Sequence, residues 1–312
     1  MIGIKLALGI DIGGTTVKLG LIDQDGLVVS SISFSSKLSQ QQLWSEILRQ
    51  SETMLRKHNI EWDMIIGAGI GIPGLVDTAR HFVHSAPNLG WTDYHLQPIL
   101  ADLFPVPYKI ENDANLAALG EFWAGAGKGK RSLVMITVGT GIGSGFITNG
   151  QIYRGEGVAT EMGHMVIDPN GPACCCGSWG CLESLAASPA LIRNMTNLLG
   201  ENKQGEVVKP TVREIFSMAR EGNELAKKAI KITANYLGIG IANIVNIFNP
   251  EVILLGGGVS EGGELFLEPM LAEVRRRALG SSLAKTSIIP AALKNKAGIV
   301  GGGALFWLAE LS

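Results

Sequence analysis

The chain has 312 residues, 46% hydrophobic and 17% charged, with a formal net charge of -2, which suits one large or two smaller domains with a sizeable core. The near-neutral balance lacks the basic face that nucleic acid or an anionic membrane surface demands. The apolar run at the N-terminus is short and broken by Asp11, so it predicts neither a membrane span nor a secretory leader, and the expected compartment is the cytoplasm.

In chain order, Leu6 to Ile10 reads as a buried strand, Asp11-Ile12-Gly13-Gly14-Thr15-Thr16 as a turn, Val17 to Ile22 as a second strand and, after Gln24-Asp25-Gly26, Leu27 to Ser33 as a third. A glycine-rich turn between strands exposes backbone N–H groups with no Cβ to block close approach, and such a nest suits a phosphate. Thr15, Thr16 and Lys18 add hydroxyls and a positive charge, and Asp11 stands where a carboxylate would hold a hydrated Mg2+. An ordinary hairpin with an Asp cap would leave the same pattern.

Gln40 to His58 reads as a helix with Leu43, Ile47 and Leu55 among its apolar positions. Met64 to Ile72 is a buried strand that stops at Gly71-Ile72-Pro73-Gly74. A short helix from Leu96 to Phe104 and a strand from Tyr108 to Ile110 lead to Glu111-Asn112-Asp113-Ala114-Asn115, then to an apolar helix from Leu116 to Trp123. Asn112 and Asp113 thus fall at the carboxyl end of a strand, where open α/β sheets bind ligands. Asp113 has two readings: the N-cap of the helix, a role that Asn115 could fill instead, or a general base for a hydroxyl that attacks phosphorus.

Gly125 to Lys130 is glycine- and lysine-rich but lacks the spacing and the Ser or Thr of a P-loop. Leu133 to Val138 is again an apolar strand, Gly139-Thr140-Gly141-Ile142-Gly143-Ser144-Gly145 again a Gly/Thr turn, and Phe146 to Thr148 again a strand. The strand, phosphate-turn, strand unit therefore occurs twice. A Rossmann site is rejected because no helix opens directly after these glycines.

Glu161-Met162-Gly163-His164 and Cys174 to Glu183 follow, and all four cysteines of the chain lie here. His164, Cys174, Cys176 and Cys181, spaced His-x9-Cys-x-Cys-x4-Cys, supply one imidazole and three thiolates, a complete tetrahedral set for a structural zinc. Gly177 and Gly180 suit a tight knuckle between the thiols. Cys175 is left over and is expected to point away. A redox pair or buried small hydrophobes are the competing readings, but clustered thiols in a reducing compartment more often bind metal. Glu161 and Glu183 flank the ligands, so one ion could fix two carboxylates and an imidazole around a small polar ligand.

Helices are expected at Pro189 to Leu199, Val212 to Arg220 and Asn223 to Phe248. A buried strand from Glu251 to Leu255 runs into Gly256-Gly257-Gly258-Val259-Ser260, and a helix follows from Glu264 to Leu279. Gly257 and Gly258 could let an adenine ring lie against bare backbone; plain helix–strand packing reads equally well. Ala297 to Leu311 closes the chain as an apolar helix.

The ordered set Asp11-Ile-Gly-Gly-Thr-Thr-Val-Lys18, Glu111-Asn-Asp-Ala-Asn115, Gly139-Thr-Gly-Ile-Gly143, Glu161-Met-Gly-His164 and Cys174-x-Cys-Gly-x-x-Gly-Cys-x-Glu183 resembles the ROK family (repressors, open reading frames and kinases) over nearly the whole chain. Asn88-Leu-Gly-Trp91, Ala118 to Gly127 and Ala297-Gly-Ile-Val-Gly-Gly302 make it most similar to the family's bacterial glucokinases. The resemblance implies a two-domain actin/hexokinase-like (ribonuclease H-like) duplicated α/β fold with an interdomain cleft: a small domain of 1–117 joined by the helix 298–312, and a larger one of 118–297 carrying the zinc-binding loop 161–183. It implies ATP, with Mg2+, held through Asp11, Gly13, Gly14, Thr15, Thr16 and Lys18, through Gly139, Thr140 and Gly141, and through Gly257 and Gly258. It makes Asp113 the base for a hexose 6-hydroxyl, with Asn112, Glu161, His164 and Glu183 binding the sugar and His164 serving metal and sugar with one ring nitrogen each.

Glucose is the first expectation for the hexose, with N-acetylglucosamine, N-acetylmannosamine, mannose or fructose as alternatives; the assembly is expected to be a homodimer or homotetramer without nucleic-acid or membrane partners. Some members of the family are sugar-responsive repressors with a helix-turn-helix ahead of the first glycine turn. The first strand begins here within the opening ten residues, which speaks against one.

Overall fold

The computed structural model describes residues 5–157, 160–200, 209–258 and 262–310. Three strands open the chain: β1 (Leu6–Ile12), β2 (Thr16–Ile22) and β3 (Val28–Ser35). α1 (Gln40–Lys57) follows, started by a capping box in which Ser39 and Gln42 bond each other's backbone. β4 (Ile65–Ile72) leads to three short strands, β5 (Leu75–Asp77), β6 (Phe82–Ala86) and β7 (Trp91–His95), then to α2 (Gln97–Leu103), β8 (Tyr108–Asn112) and α3 (Asp113–Ala124). The first sheet has the order β3-β2-β1-β4-β8. β1 and β4 are central, parallel to each other and buried along nearly their whole length, so they read as continuous apolar runs. β3, at the edge, alternates half-buried and exposed residues. The antiparallel meander β5-β6-β7 was not foreseen: its strands have only three to five residues and break their apolar positions with Asp, His, Ser and Thr.

β9 (Ser132–Val138), β10 (Ile142–Thr148) and β11 (Gln151–Ile152) begin a second sheet, completed by β12 (Val252–Gly256) and β13 (Ser287–Pro290). Its order, β11-β10-β9-β12-β13, repeats the pattern of the first. As in the first, the outer hairpin pair (β10 with β11) is antiparallel and the pair at the other edge (β12 with β13) is parallel. α4 (Leu182–Ala186), α5 (Ser188–Leu199), α6 (Val212–Arg220), α7 (Glu224–Phe248), α8 (Glu264–Arg277), the one-turn α9 (Gly280–Leu283) and α10 (Ala297–Glu310) complete the described elements. Asn223 caps the start of α7 and Asn249, in the left-handed conformation, ends it. Among the described residues no helix is long and apolar enough to cross a membrane.

The described residues group into two compact units, 1–133 with 145–160 and 291–312, and 134–144 with 161–290. The first takes the whole of α3, which the expected boundary at 117/118 would cut in the middle, and residues 125–133, 145–160 and 291–297, which the sequence reading gave to the other part. Within this unit α10 packs backbone to backbone on the first sheet. A Cβ at Gly9 would overlap the Ile299 carbonyl, and one at Gly69 the Gly302 carbonyl.

Candidate active-site residues

In the first unit the sheet register sets the site. Asp11 on β1 pairs with Gly71 on β4, and Gly71 with Glu111 on β8, so the three form one row at the carboxyl ends of three parallel strands. With neighbouring strands about 4.8 Å apart, Asp11 and Glu111 stand roughly 10 Å from each other across Gly71. Asp113 lies two residues beyond Glu111, at the first position of α3.

The cap of α3 is Asn112, not Asp113 or Asn115: its Oδ1 accepts from the Ala114 and Asn115 N–H groups at 2.9 and 3.1 Å, and its Nδ2 donates to the Gly74 carbonyl at 3.1 Å. The helix therefore begins three residues before the apolar run that suggested it. Both ends of the Asn112 amide, read from the family resemblance as a sugar ligand, are engaged within the chain. The half-buried Asp113 is relieved of capping, and its Oδ1 accepts from the Ala114 N–H.

Glu111 was quoted in the motif without a role. It is 2% exposed and holds the strand–helix junction, accepting from Arg154 Nε at 2.7 Å, from Asn115 Nδ2 at 2.9 Å and from the Asn112 N–H at 3.0 Å. Arg154 went unnoticed altogether, because nothing in its local sequence ties it to a residue 43 positions away.

Asp11 faces Lys18 at 3.3 Å. Burial raises its pKa above the usual carboxylate value, against the lowering pull of the Lys18 ammonium. A Cβ at Gly298, in the first turn of α10, would come within 2.6 Å of the Asp11 carboxyl carbon, so the bare glycine lets the carboxylate sit against a helix N-terminus. The turn after Asp11 is closed by the Gly13 N–H on the Thr16 carbonyl at 3.0 Å. Neither Gly13 nor Gly14 has positive φ, so this is a close-approach turn rather than a nest of alternating handedness. Gly14 is bare for another reason, since a Cβ there would lie 3.0 Å from Asn88.

The second unit holds the other set. Glu161 precedes a 3-10 turn, Met162–His164, whose Met162 N–H donates to the buried Ser144 hydroxyl at 3.0 Å. His164 and Glu183 each lie within electrostatic reach of Glu161. Burial raises the pKa of Glu161, His164 opposes that, and the Glu183 charge adds to it.

The four expected metal ligands come together: their ligand atoms all lie within 4.8 Å of one another, with Cys174 Sγ 3.6 Å from His164 Nδ1 and Cys176 Sγ 3.7 Å from Cys181 Sγ. A tetrahedron of thiolates at about 2.3 Å from zinc has edges of roughly 3.8 Å, and a sulfur–nitrogen edge of about 3.6 Å. The residues fit that ion, and Nδ1 would be the metal-facing nitrogen of His164. The loop is tied by the Cys174 N–H on the Ser178 carbonyl, by the Gly180 N–H on Pro172 and by the Leu182 N–H on Met165. At Gly180, φ is +67 and a Cβ would overlap the Asp168 carbonyl, so only glycine fits. Trp179, between two ligands, is the one exposed tryptophan of the six.

Cys175 does not point away. Its Sγ donates to Glu183 Oε1 at 3.2 Å, and that bond pushes its pKa up to about 12 and holds it as a thiol. The second oxygen of Glu183 accepts from the Ile142 N–H at 2.7 Å, at the end of the Gly139-Thr140-Gly141 turn. A Cβ on Gly141 would overlap that oxygen. The turn is closed by the Gly139 N–H on the Gly141 carbonyl at 2.9 Å; as in the first turn, neither glycine has positive φ. Gly257, at φ +87, presses on the Val138 backbone, while Gly258 faces open space. Val259 and Ser260 lie outside the described residues.

A model of the ROK family matches residues 7–309. A glucokinase of Halalkalibacterium halodurans is 35% identical over 97% of this chain and 94% of its own length. A xylose repressor of Caldicellulosiruptor bescii is 32% identical over 94% of this chain and 76% of the repressor. Among solved structures, a ROK family glucokinase from Streptomyces griseus in complex with glucose and AMPPNP is 33% identical and superposes with a TM-score of 0.81 over 96% of this chain and 99% of its own.

Proposed function

This chain belongs to the ROK family, its fold is the family's actin/hexokinase-like α/β fold, and we propose that it transfers the γ-phosphoryl group of ATP to the 6-hydroxyl of a hexose, glucose first. The observation that carries this reading is the register row of the first sheet. It sets Asp11, the residue for a nucleotide-bound cation, at the carboxyl end of β1, and Asp113, the residue for a proton, just past the carboxyl end of β8, two parallel strands on either side of β4.

In the proposed reaction Asp113 accepts the hydroxyl proton as the sugar oxygen bonds to phosphorus and the β–γ bridge bond breaks, releasing ADP. Glu161, His164 and Glu183 hydrogen-bond the sugar hydroxyls, with Asn112 holding the junction that presents Asp113. A zinc on His164, Cys174, Cys176 and Cys181 would leave His164 Nε2 for the sugar and fix its tautomer. Mg2+ arriving with ATP would offset phosphate charge, with Asp11 as its carboxylate. Lys18, the turns at Gly13-Gly14-Thr15-Thr16 and Gly139-Thr140-Gly141, and Gly257 and Gly258 are assigned to the nucleotide. Positioning and fixed charge supply most of the acceleration. The proposed setting is cytoplasmic, with the chain as a homodimer or homotetramer.

An ADP-release assay over glucose, mannose, fructose, N-acetylglucosamine and N-acetylmannosamine tests the reading, with glucose expected to give the highest kcat/KM. Asp113→Ala is expected to lower kcat by roughly a thousandfold or more, with hexose affinity by calorimetry little changed. A rate like that of the unaltered protein would overturn the base assignment. The likeness to a xylose repressor favours a second reading, a sugar-responsive regulator. Turnover of no sugar, together with a sugar-dependent mobility shift of DNA, would select it.

A further inference from the structure

We infer that Glu183 couples the thiolate knuckle to the Gly139–Gly141 turn, so that metal occupancy of the knuckle sets nucleotide affinity in the absence of sugar. This rests on the reading above that the turn takes nucleotide phosphates.

The coupling is built from eight residues. Cys181, one of the four metal ligands, is the N-terminal flank of α4, and its carbonyl accepts from Ser184 Oγ at 2.9 Å. Glu183 stands in the first turn of α4 and reaches the turn directly, through Ile142 N–H to Oε2 at 2.7 Å. Just past α4, the Ser188 N–H donates to the Gly139 carbonyl at 2.8 Å. One five-residue helix is thus fastened at its start to the ligand set and, in its first turn and beyond its end, to both ends of the turn.

The Glu183 bond is charge-assisted, carboxylate to peptide N–H, the stronger kind. Gly141 is shaped to it, since any side chain there would displace the carboxylate. The other oxygen of Glu183 takes the thiol of Cys175, which sits between two ligands. Without an ion, Cys181 keeps only thiol contacts of about 3.7 Å within the ligand set. The start of α4 then keeps its backbone ties, the Leu182 N–H on the Met165 carbonyl and the bridge of Cys181 to Val166, but loses the fourfold tie at the Cys181 thiolate, which loosens the setting of Glu183 against Ile142. Glu183 therefore acts on the nucleotide as a positioning residue, separately from its proposed contact with sugar.

The test is titration calorimetry with AMPPNP and Mg2+, without any hexose, on the full chain. Five samples are compared: the zinc-loaded protein, the same protein after chelation, Cys176→Ser, Glu183→Ala and Glu183→Gln. Zinc is measured by elemental analysis and folding by circular dichroism. Chelation, Cys176→Ser and Glu183→Ala are each expected to weaken AMPPNP binding roughly tenfold or more, the loss of one charge-assisted bond. Glu183→Gln, which keeps an oxygen for the Ile142 N–H, is expected to retain most of the affinity.

Combining Cys176→Ser with Glu183→Ala should cost no more than either alone, since both act along one path. Re-adding zinc to the chelated protein should restore binding, which separates coupling from a failure to fold. Equal AMPPNP affinity in loaded, chelated and Glu183→Ala protein, or losses that multiply in the double variant, would overturn the inference while leaving the nucleotide reading intact. No AMPPNP binding by the loaded protein would overturn the nucleotide reading itself, and this inference with it.

Discussion

Asp11 is held by opposed forces: burial disfavours its charge, while Lys18 and the start of α10 favour it. The net direction is a raised pKa, so the folded chain binds this proton more tightly than the unfolded one. The stability this contributes is full below about pH 3.8 and declines as pH rises through the higher folded value. Asp11→Asn is expected to flatten that part of the pH dependence of unfolding, measured by urea denaturation between pH 3.5 and 7, and to lower turnover; an unchanged slope would remove Asp11 as its source. The place of Asp11 at the end of a buried strand was legible in the sequence, because the apolar run before it is unbroken. The capping role of Asn112 was not, because the side chains at 112, 113 and 115 could each cap α3 and spacing does not choose among them. Cys175 was misjudged for a similar reason: its neighbours fix where two thiols go, but not that Glu183 comes back to meet the third.

Elements with long apolar runs were read to within two or so residues, as in β1, β4 and α10, where burial on both faces leaves little room for a polar residue to blur the ends. The amphipathic α1 and α6 were read as closely because their buried positions recur at helical spacing and a capping box marks each start. The meander β5-β6-β7 and the five-residue α4 escaped, since so short a stretch completes too few periods to reveal its hydrogen-bonding pattern. The glycines announced themselves by their number, but their use emerges only in space. Gly9 and Gly69 let α10 lie directly on β1 and β4. Gly69→Ala drives a methyl group into the Gly302 carbonyl and is expected to cost about 1–3 kcal/mol or more, seen as a lower urea midpoint. Gly280→Ala, where the space is open, is expected to move the midpoint little. Equal behaviour of the two would contradict backbone-to-backbone packing of α10.

At the scale of the molecule, the repeated strand order was foreshadowed by the repeated strand, turn, strand sequence units, and the two sheets carry it through. Where the chain changes unit was less visible, because two of the four crossings fall inside β9 and β10 rather than in linkers rich in Pro or Ser. A ligand that binds only the native chain stabilises it by about 2.7 kcal/mol at a hundredfold excess over Kd. Saturating glucose with AMPPNP is therefore expected to raise the melting temperature by a few degrees, and xylose to do so less; a reversed order would favour the regulator reading whatever the kinetics show. Trp179 has a practical consequence of its own. It is the lone indole open to water, sitting between two candidate ligands, while its five counterparts are wholly or partly enclosed. Iodide or acrylamide should therefore extinguish its fluorescence before that of the others, giving the metal loop an intrinsic optical reporter that needs no dye.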